Sequence, residues 1–287
     1  MILVTGATGH VGRAVVSQLA SGGRKVVAMV RNVEAASRLL LPPGIALRVA
    51  DYEDVSALGR ALAGIDEMVL ISSDGDAKTV MHHHANAIAA AGAVGLRHIT
   101  FTSIVDTDVA SPFYFAPVYR DAEQRLATCG IPSTIVRCGL YCDFILDHWL
   151  QPSQASGELV LPAGQGLVAP VSRDDVAAAI AAVAARPGES RRLYTITGQQ
   201  ASCFGDIAAA YAEAVGRPMR YRPCSVAEYR ASASAHVDDP WPQAFATLCA
   251  AIAEDRYSQV SDDFAVLTGR EPESVRDFLG RVASAIG

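Results

Sequence analysis

The first half of the chain alternates short apolar runs with segments whose apolar residues recur at helical spacing. The apolar runs are rich in Val, Ile and Thr and are predicted strands, over residues 2–5, 25–30, 45–50, 67–72, 97–103 and 133–137. The predicted helices between them cover residues 11–20, 34–41, 54–63, 79–91 and 116–128. Buried strands alternating with helices are typical of a parallel sheet covered on both faces. The pattern predicts an α/β fold with a doubly wound parallel sheet and a ligand crevice at the carboxyl ends of its strands.

The rhythm changes after residue 139. Residues 139–167 are rich in Gly, Pro, Ser and aromatic residues and follow no βα pattern. Ser172 to Asp175 then resembles a capping box that opens an alanine-rich helix, which Pro187 and Gly188 end. The later predicted elements are a strand over 192–197, a helix over 204–215 and a mainly helical segment over 218–287.

The length of 287 residues suits one large domain with an appended lobe. We expect a sheet domain of residues 1–139, with a further βα contribution near 172–198. Residues 140–171 and 199–287 are expected to form a smaller, mainly helical lobe that binds substrate and covers the crevice.

Composition narrows the class of protein. Hydrophobic residues make up 51% and charged residues 19%, which suits a compact globule. The net charge of -6, without a basic run, argues against a nucleic-acid partner. No secretory leader or membrane span is evident, and the six cysteines include no Cys-x-x-Cys pair. We therefore expect reduced thiols and a cytoplasmic protein without a membrane partner.

Three glycines lie between the first predicted strand and the first predicted helix. Gly6 permits a tight turn, Gly9 lets a pyrophosphate approach the backbone, and Gly12 lets the helix pack close to the sheet. The amides at the start of the helix add donors and positive potential for phosphate groups. A glycine-rich turn without a ligand is the alternative, but the strand before it and the helix after it favour a dinucleotide. The predicted phosphate-binding residues are Gly6, Thr8, Gly9, His10, Val11 and Gly12.

The stretch TGATGHVG over residues 5–12 resembles the opening of the NmrA-like group of atypical short-chain dehydrogenases/reductases. Segments similar to that group also fall at 30–32, 51–52, 98–103, 136–141, 156–158 and 172–175. Within the group, the chain is most similar to the triphenylmethane reductases and the bacterial NAD(P)H:quinone oxidoreductases. The resemblance implies a Rossmann-type fold, a nicotinamide dinucleotide, and conjugated electrophiles such as quinones as hydride acceptors.

The end of the second predicted strand indicates which dinucleotide is bound. NAD-selective folds usually place an acid there for the ribose hydroxyls, whereas this chain has Arg31 followed by Asn32. A guanidinium pairs well with a 2′-phosphate, and Arg13 could add to the same pocket. The alternative is that Arg31 is only a solvated strand-end charge. We expect NADP as the cofactor, with NADPH bound more tightly than NADH.

Further cofactor contacts are expected at the ends of later strands. The resemblance places Asp51, with Tyr52 beside it, next to the adenine. Hydroxyls at the carboxyl ends of the fourth and fifth strands are expected to line the nicotinamide half of the crevice. For each hydroxyl, a capping or turn role is the alternative. These residues are Ser72, Ser73, Thr102 and Ser103.

The catalytic pattern departs from that of ordinary short-chain dehydrogenases. They use a Tyr and a Lys four residues later, whose ammonium lowers the pKa of the phenol. The corresponding residues here are Tyr119 and Glu123, and a carboxylate at that position would raise the phenol pKa. We predict Tyr119 and Ser103 as catalytic residues facing the substrate. Tyr119 would donate a proton or orient the substrate; an ordinary helix-surface aromatic is the alternative.

Aromatic residues after the sixth predicted strand are candidates for a substrate pocket. We predict that Tyr141, Phe144 and Trp149 bind the substrate, as an apolar platform for a flat molecule. Ordinary packing in the core is the alternative for each of them.

His82, His83 and His84 are consecutive but do not predict a metal site. Neighbouring side chains on a helix diverge by about 100°, so the three imidazoles cannot converge on one ion. We expect no metal and a surface cluster of histidines, with His84 turned toward the cofactor.

The primary hypothesis is an NADPH-dependent reductase that transfers hydride to a planar conjugated acceptor, such as a quinone or a related aromatic compound. Two alternatives stay open. One is an NADP(H)-binding, redox-sensing regulator without turnover, and the other is an isomerase, epimerase or cyclase of the same fold. We expect a monomer or a homodimer.

Overall fold

The computed structural model describes residues 1–34, 41–186 and 193–286. Its strands are β1 (Ile2–Val4), β2 (Val26–Val30), β3 (Ala46–Val49), β4 (Glu67–Leu70), β5 (His98–Ile104), β6 (Ser133–Cys138), β7 (Glu158–Leu161), β8 (Leu193–Ile196) and β9 (Arg220–Pro223). A seven-stranded sheet has the order β3-β2-β1-β4-β5-β6-β8, and the described pairings from β3 to β5 are parallel. The predicted Rossmann-type α/β fold is confirmed.

Where a helix with both bounds was predicted over residues 11–20, 54–63, 79–91, 116–128 and 204–215, the described helix begins and ends within three residues of the prediction. The described helices are α1 (His10–Ser21), α2 (Val55–Leu62), α3 (Ala77–Val94), α4 (Ala116–Thr128), α5 (Cys142–Ile145), α6 (Gln151–Ser153), α7 (Arg173–Ala185), α8 (Phe204–Val215), α9 (Val226–Ala233), α10 (Trp241–Ala253), α11 (Asp263–Thr268) and α12 (Val275–Ile286). None of these helices is both long and apolar enough to cross a bilayer. Three predictions fall wholly or partly outside the described residues. They are most of the helix predicted over 34–41, the predicted helix end at 187–188 and the start of the strand predicted over 192–197.

The order of the large sheet reverses at β1. Ile2 of β1 lies opposite Val26 of β2 on one side and opposite Glu67 of β4 on the other. Strands β2 and β3 continue to one side, and β4, β5, β6 and β8 continue to the other. Open α/β sheets bind ligands outside the carboxyl ends of their strands at such a reversal. The segments that follow β1 and β4 are therefore where this fold favours a site.

Side chains and glycines fix the limits of the helices beside this sheet. Asp54 accepts a hydrogen bond from the Ala57 N–H at 2.9 Å and begins α2. Asp76 accepts one from the Thr79 N–H at 2.7 Å and begins α3, which ends at Gly95 with φ 72°. Each cap satisfies a backbone group that has no partner within the helix.

The residues of the chain group into two compact units, each with many contacts among its own residues. The first unit is Met1–Ser103, Val118–Arg137 and Asp174–Tyr194, and the second is Ile104–Pro117, Cys138–Arg173 and Thr195–Gly287. This division assigns residues 104–117 to the second unit, whereas the sequence-based boundaries put them in the first domain. The predicted domain boundaries and the predicted role of the second lobe in substrate binding stay predictions.

Each unit has its own apolar core. In the first unit, Leu3 and Met29 from neighbouring strands pack with Leu58 of α2 and Ile88 of α3. In the second unit, Trp149 belongs to a core that includes residues of α5, α8 and α10. The burial of apolar surface in these clusters is the main favourable term for folding.

The second unit contains a sheet and a helical segment that the sequence did not predict. Strands β7 and β9 pair in parallel as a two-stranded sheet, with Glu158 opposite Arg220. A π-helical turn, Leu146–Leu150, joins α5 to α6. The prediction was wrong here because β9 reads Arg-Tyr-Arg-Pro, a composition unlike that of a strand, and its partner is distant in sequence.

The turn after β1 requires glycine at two positions. Gly6 has a φ of 59°, a left-handed conformation that side chains with a Cβ rarely adopt. A Cβ atom on Gly12 would lie 2.1 Å from the carbonyl oxygen of Gly6, far inside van der Waals contact. Helix α1 therefore passes directly against the turn that precedes it.

We expect Gly12→Ala to lower the free energy of unfolding by about 2–3 kcal/mol, because the added methyl group must displace backbone atoms. Urea unfolding followed by circular dichroism measures the change. Gly59→Ala is the matched control, since Gly59 lies in α2 and a Cβ there meets nothing within 4 Å. That substitution should raise the stability by about 0.5–1 kcal/mol through helix propensity. Equal urea midpoints for Gly12→Ala and the wild type would contradict the close approach.

Candidate functional site

Helix α1 begins at the glycine turn with donors available at its N-terminus. Gly9 is the N-cap, and among the described residues no side chain caps this helix. The Arg13 N–H donates to the Gly9 carbonyl at 3.0 Å, so the amides of residues 10–12 precede the helical ladder. Such an N-terminus carries a partial positive charge and offers N–H donors to phosphate oxygens.

The turn after β1 is tied to the segment after β4. The Ile71 N–H donates to the Thr5 hydroxyl oxygen at 2.9 Å, and the Thr5 N–H donates to the Val69 carbonyl at 3.0 Å. These bonds hold the carboxyl ends of the two strands together, on either side of the point where the sheet order reverses.

The other predicted phosphate-binding residues also lie on the turn or in the first turn of α1. Thr8 is half-buried and Val11 is buried. His10 is exposed, and its Nε2 lies 2.9 Å from Oδ1 of Asp174 in the first turn of α7. His10 therefore has an acidic partner within the first unit.

Charged residues stand at the ends of β2 and β3, as predicted. Arg31 is exposed directly after β2, and Asp51 is exposed shortly after β3, where its carboxylate accepts from the Glu53 N–H at 3.0 Å. Arg13 Nε is buried and has no hydrogen-bond partner among the described residues. A buried donor without a partner is costly, and an anion beside it would satisfy it. The guanidiniums of Arg13 and Arg31 suit the phosphate groups of a bound dinucleotide.

Tyr52 is a buried residue whose hydroxyl is already engaged. It donates to the Ile71 carbonyl at 2.8 Å, and burial raises the pKa of the phenol. Its ring stacks on His83 with the ring centroids 5.3 Å apart. His83 Nδ1 in turn lies 2.7 Å from Ser73 Oγ. Tyr52 and Ser73 thus belong to one packed group behind the ends of β3 and β4.

A hydroxyl cluster, formed by Ser72, Thr102 and Tyr119 with the imidazole of His84, follows β4. The Tyr119 hydroxyl donates to Ser72 Oγ at 3.2 Å, and His84 Nε2 lies 3.0 Å from the same oxygen. The Ser72 N–H donates to Thr102 Oγ1 at 3.1 Å. The cluster combines residues from two strand ends and from helices α3 and α4 at the carboxyl edge of the sheet.

The histidines of α3 do not form the surface cluster that we predicted. His82 is exposed, whereas His83 and His84 are buried, with His84 only 1% exposed. Burial lowers the pKa of His84 to about 4, so its imidazole is neutral at pH 7. No group of three metal-ligating side chains occurs in the part of the chain that the structure describes.

The burial of His84 had a signal in the sequence. Val80, Ala87, Ile88 and Ala91 are buried on α3, and His84 lies on the same face at helical spacing. The run of three histidines obscured this periodicity, because we treated them as one group.

Glu123, which occupies the position of the usual lysine, forms an ion pair. Its carboxylate oxygens accept from Arg137 Nε at 2.9 Å and from Arg137 Nη2 at 2.6 Å, and the bond raises the pKa of Arg137. The Ser103 hydroxyl donates to the same carboxylate at 2.7 Å and is only 3% exposed. Glu123 thus has a cationic partner, Arg137, that the sequence did not indicate.

The residues predicted to bind substrate lie in the second unit. Tyr141 is half-buried at the start of α5, with the Arg173 guanidinium 5.6 Å from its ring centroid. Phe144 is half-buried and packs edge-on against Trp149, with centroids 5.1 Å apart. Trp149 is 2% exposed, and its Nε1 donates to the Tyr229 hydroxyl at 3.1 Å. We therefore assign Trp149 to the core, because it has almost no surface with which to contact a ligand.

Comparison with known proteins identifies the family of the chain. Residues 6–187 match the family described as NAD(P)H-binding, so the chain belongs to that family. One relative, Quinone oxidoreductase 2 of Escherichia coli, is 34% identical over 237 residues, which span 81% of this chain and 80% of that protein. The family resemblance predicted from the sequence is confirmed.

Two solved structures have the same fold with a bound cofactor. The NADPH-dependent quinone oxidoreductase of Escherichia coli, complexed with NADPH, is 30% identical with a TM-score of 0.91 and covers 98% of this chain and 99% of its own. The triphenylmethane reductase of Citrobacter sp., complexed with NADP(H), is 31% identical with a TM-score of 0.90 and covers 99% of this chain and 100% of its own.

We expect NADPH to bind more tightly than NADH, and we expect Arg31→Ala to remove most of that preference. Losing a charge-assisted bond to the 2′-phosphate should weaken NADPH binding about tenfold or more and leave NADH binding nearly unchanged. Fluorescence titration of each nucleotide measures both affinities.

Arg97→Ala is the matched control for Arg31→Ala. Arg97 precedes β5 and pairs with Asp66 at 3.0 Å, so it lies at the opposite edge of the sheet from the residues that follow the strands. Its removal should leave both nucleotide affinities unchanged. Equal affinities of the wild type for NADPH and NADH would exclude a 2′-phosphate site at Arg31.

Proposed function

We propose that the protein is an NADPH-dependent reductase that transfers hydride to a planar, conjugated, largely apolar acceptor, such as a quinone or a related aromatic compound. The observation that carries the proposal is the position of Ser72 and Tyr119. The Tyr119 hydroxyl, from α4, lies 3.2 Å from Ser72 Oγ, just beyond the carboxyl end of β4. The Thr5–Ile71 hydrogen bond ties that end of β4 to the glycine turn after β1. When bound, NADPH supplies the hydride, and the acceptor takes it together with a proton where its chemistry needs one.

The cofactor is held by residues whose surroundings suit each of its parts. The backbone around Gly6, Gly9 and Gly12 binds the pyrophosphate, with the N-terminus of α1 aimed at it. Arg31, with Arg13, binds the 2′-phosphate. Asp51 borders the adenine. Thr8, His10 and Val11 lie on the turn that binds the phosphates. The remaining walls of the cofactor site are formed by Tyr52, Ser73 and Thr102.

The chemistry of this site suits an acceptor that needs little acid catalysis. Tyr119 has Glu123 where an ordinary short-chain dehydrogenase has the lysine, and Glu123 is engaged by Arg137. Conjugated electrophiles take hydride readily, so holding the two reactants at the right distance supplies most of the rate. The Ser72 and Tyr119 hydroxyls orient the acceptor. Ser103, which we predicted to be catalytic and to face the substrate, is buried and donates its proton to Glu123 in α4 instead.

The relatives support this acceptor class. One is named for quinone reduction and another is a triphenylmethane reductase, so both names point to aromatic acceptors. Aromatic residues of the second unit, Tyr141 and Phe144, remain candidates for contacts with such a substrate. We further propose a cytoplasmic protein that acts as a monomer or a homodimer.

Purified protein should oxidise NADPH in the presence of a para-quinone, an azo dye or a cationic triarylmethane dye. The loss of NADPH absorbance under anaerobic conditions measures the rate with each acceptor. We expect Tyr119→Phe to lower kcat/KM for the quinone by about tenfold, because it removes a hydroxyl that orients the reacting group.

Tyr211→Phe is the control for that substitution, because it removes a buried phenol hydroxyl from α8 in the second unit. It should leave the quinone rate near that of the wild type. Tight NADPH binding without oxidation by any acceptor would contradict the proposal and favour a redox-sensing regulator. Stable copurified nicotinamide with no consumption of external NADPH would favour an isomerase, epimerase or cyclase.

A further inference from the structure

His84 is a buried histidine next to the proposed acceptor site that has no assigned role. Its ring packs edge-on against Phe101, with centroids 5.1 Å apart, and lies 5.8 Å from the Tyr119 ring centroid. Its Nε2 is 3.0 Å from Ser72 Oγ. Its Nδ1 is buried and has no hydrogen-bond partner among the described residues. The two nitrogens are therefore in very different surroundings.

The tautomer of His84 decides what the Ser72 hydroxyl can do. Ser72 Oγ has one proton to donate and two lone pairs, and Tyr119 donates to one of those lone pairs. If His84 carries its proton on Nδ1, the Ser72 proton must point at Nε2 and is used within the protein. If His84 carries its proton on Nε2, that N–H fills the second lone pair of Ser72, and the Ser72 proton remains for a third partner.

The surroundings of Nδ1 favour the proton on Nε2. With the proton on Nδ1, a buried N–H donor would lack any acceptor, which is among the rarest defects in folded proteins. With the proton on Nε2, the buried Nδ1 keeps only an unused lone pair, while the N–H donates to Ser72. Unfilled acceptors are tolerated better than orphaned donors.

We propose that His84, as the Nε2–H tautomer, is a positioning residue that makes Ser72 a hydrogen-bond donor toward the acceptor. The inference rests on the proposed function and deepens it by naming the group that contacts a substrate oxygen. Ser72 is half-buried two residues after β4, at the carboxyl edge of the sheet where the fold binds ligands. A quinone oxygen gains negative charge as hydride arrives, and a fixed donor stabilises that charge.

His84 does not act as a proton relay in this arrangement. A relay through an imidazole needs one nitrogen to release a proton while the other takes one up. Nδ1 has no described partner to exchange with, so a proton that reached His84 could go no further. The role of His84 is to set the direction of the Ser72 hydroxyl.

The tautomer can be observed directly in the full-length protein. Labelling histidine with nitrogen-15 and recording two-bond nitrogen–proton correlations distinguishes the two neutral forms, and the His84→Gln spectrum assigns the signals. We expect His84 to carry its proton on Nε2, both without nucleotide and with NADP+ bound. A proton on Nδ1 would overturn the proposal.

Comparing the rates with two acceptors distinguishes a loss of Ser72 positioning from a general loss of enzyme activity. A quinone develops charge on oxygen, whereas a cationic triarylmethane dye takes hydride on carbon and becomes neutral. His84→Phe and Ser72→Ala should therefore lower the ratio of quinone rate to dye rate by about tenfold or more. His84→Gln, whose side-chain amide can still donate to Ser72, should keep the ratio near that of the wild type.

The outcomes distinguish this inference from the proposed function. If His84→Phe lowers the rates with the quinone and with the dye by the same factor, the positioning role is overturned, while the reductase assignment stays intact. If the wild type reduces no acceptor, the proposed function fails, and the tautomer measurement alone decides the assignment of His84. NADPH affinity and thermal stability of each variant, measured in parallel, show whether the fold and the cofactor site are preserved.

Discussion

The close approach of helix α1 to the turn after β1 is the constraint on which the candidate site depends. No side chain fits at Gly12, where a Cβ would lie 2.1 Å from the Gly6 carbonyl oxygen. Because glycine lets the helix pass this close to the turn, the N-terminal amides of α1 lie at the point where the sheet order reverses. Thr5 then bonds the same turn to Ile71, after β4. The glycine turn and the hydroxyl cluster are thus held next to each other by the Thr5–Ile71 hydrogen bond.

Buried polar groups give the site its chemical character. The usual tyrosine–lysine pair is absent, and the carboxylate of Glu123 is neutralised by Arg137 and held by Ser103. The groups nearest the proposed acceptor are neutral: the hydroxyls of Ser72 and Tyr119, with the uncharged imidazole of His84 behind them. Such a site offers directed hydrogen bonds rather than a strong acid. It suits acceptors whose own conjugation makes them electrophilic.

Local patterns in the sequence predicted much of the fold and part of the site. Alternating strands and helices predicted the doubly wound sheet, and the spacing of the glycines predicted the turn at Gly12, because both depend on neighbours along the chain. The pairing of Glu123 with Arg137 depends on how α4 lies against β6, which no local pattern encodes. Strand β9 was missed for a similar reason, since its charged sequence is a strand only through its pairing with β7. The surface cluster of histidines was a wrong prediction, because a run of identical residues hid the position of His84 on the buried face of α3.

Direct transfer of hydride from the cofactor to an aromatic acceptor is the central claim. It is tested most directly by the fate of deuterium at C4 of the reduced nicotinamide, using NADPH labelled separately on each face and a cationic triarylmethane dye as the acceptor. Mass spectrometry of the reduced dye locates the label, because deuterium on its central carbon does not exchange with water. We expect deuterium on that carbon from one labelled face and none from the other. Reduced dye without deuterium from either form of NADPH would contradict direct transfer.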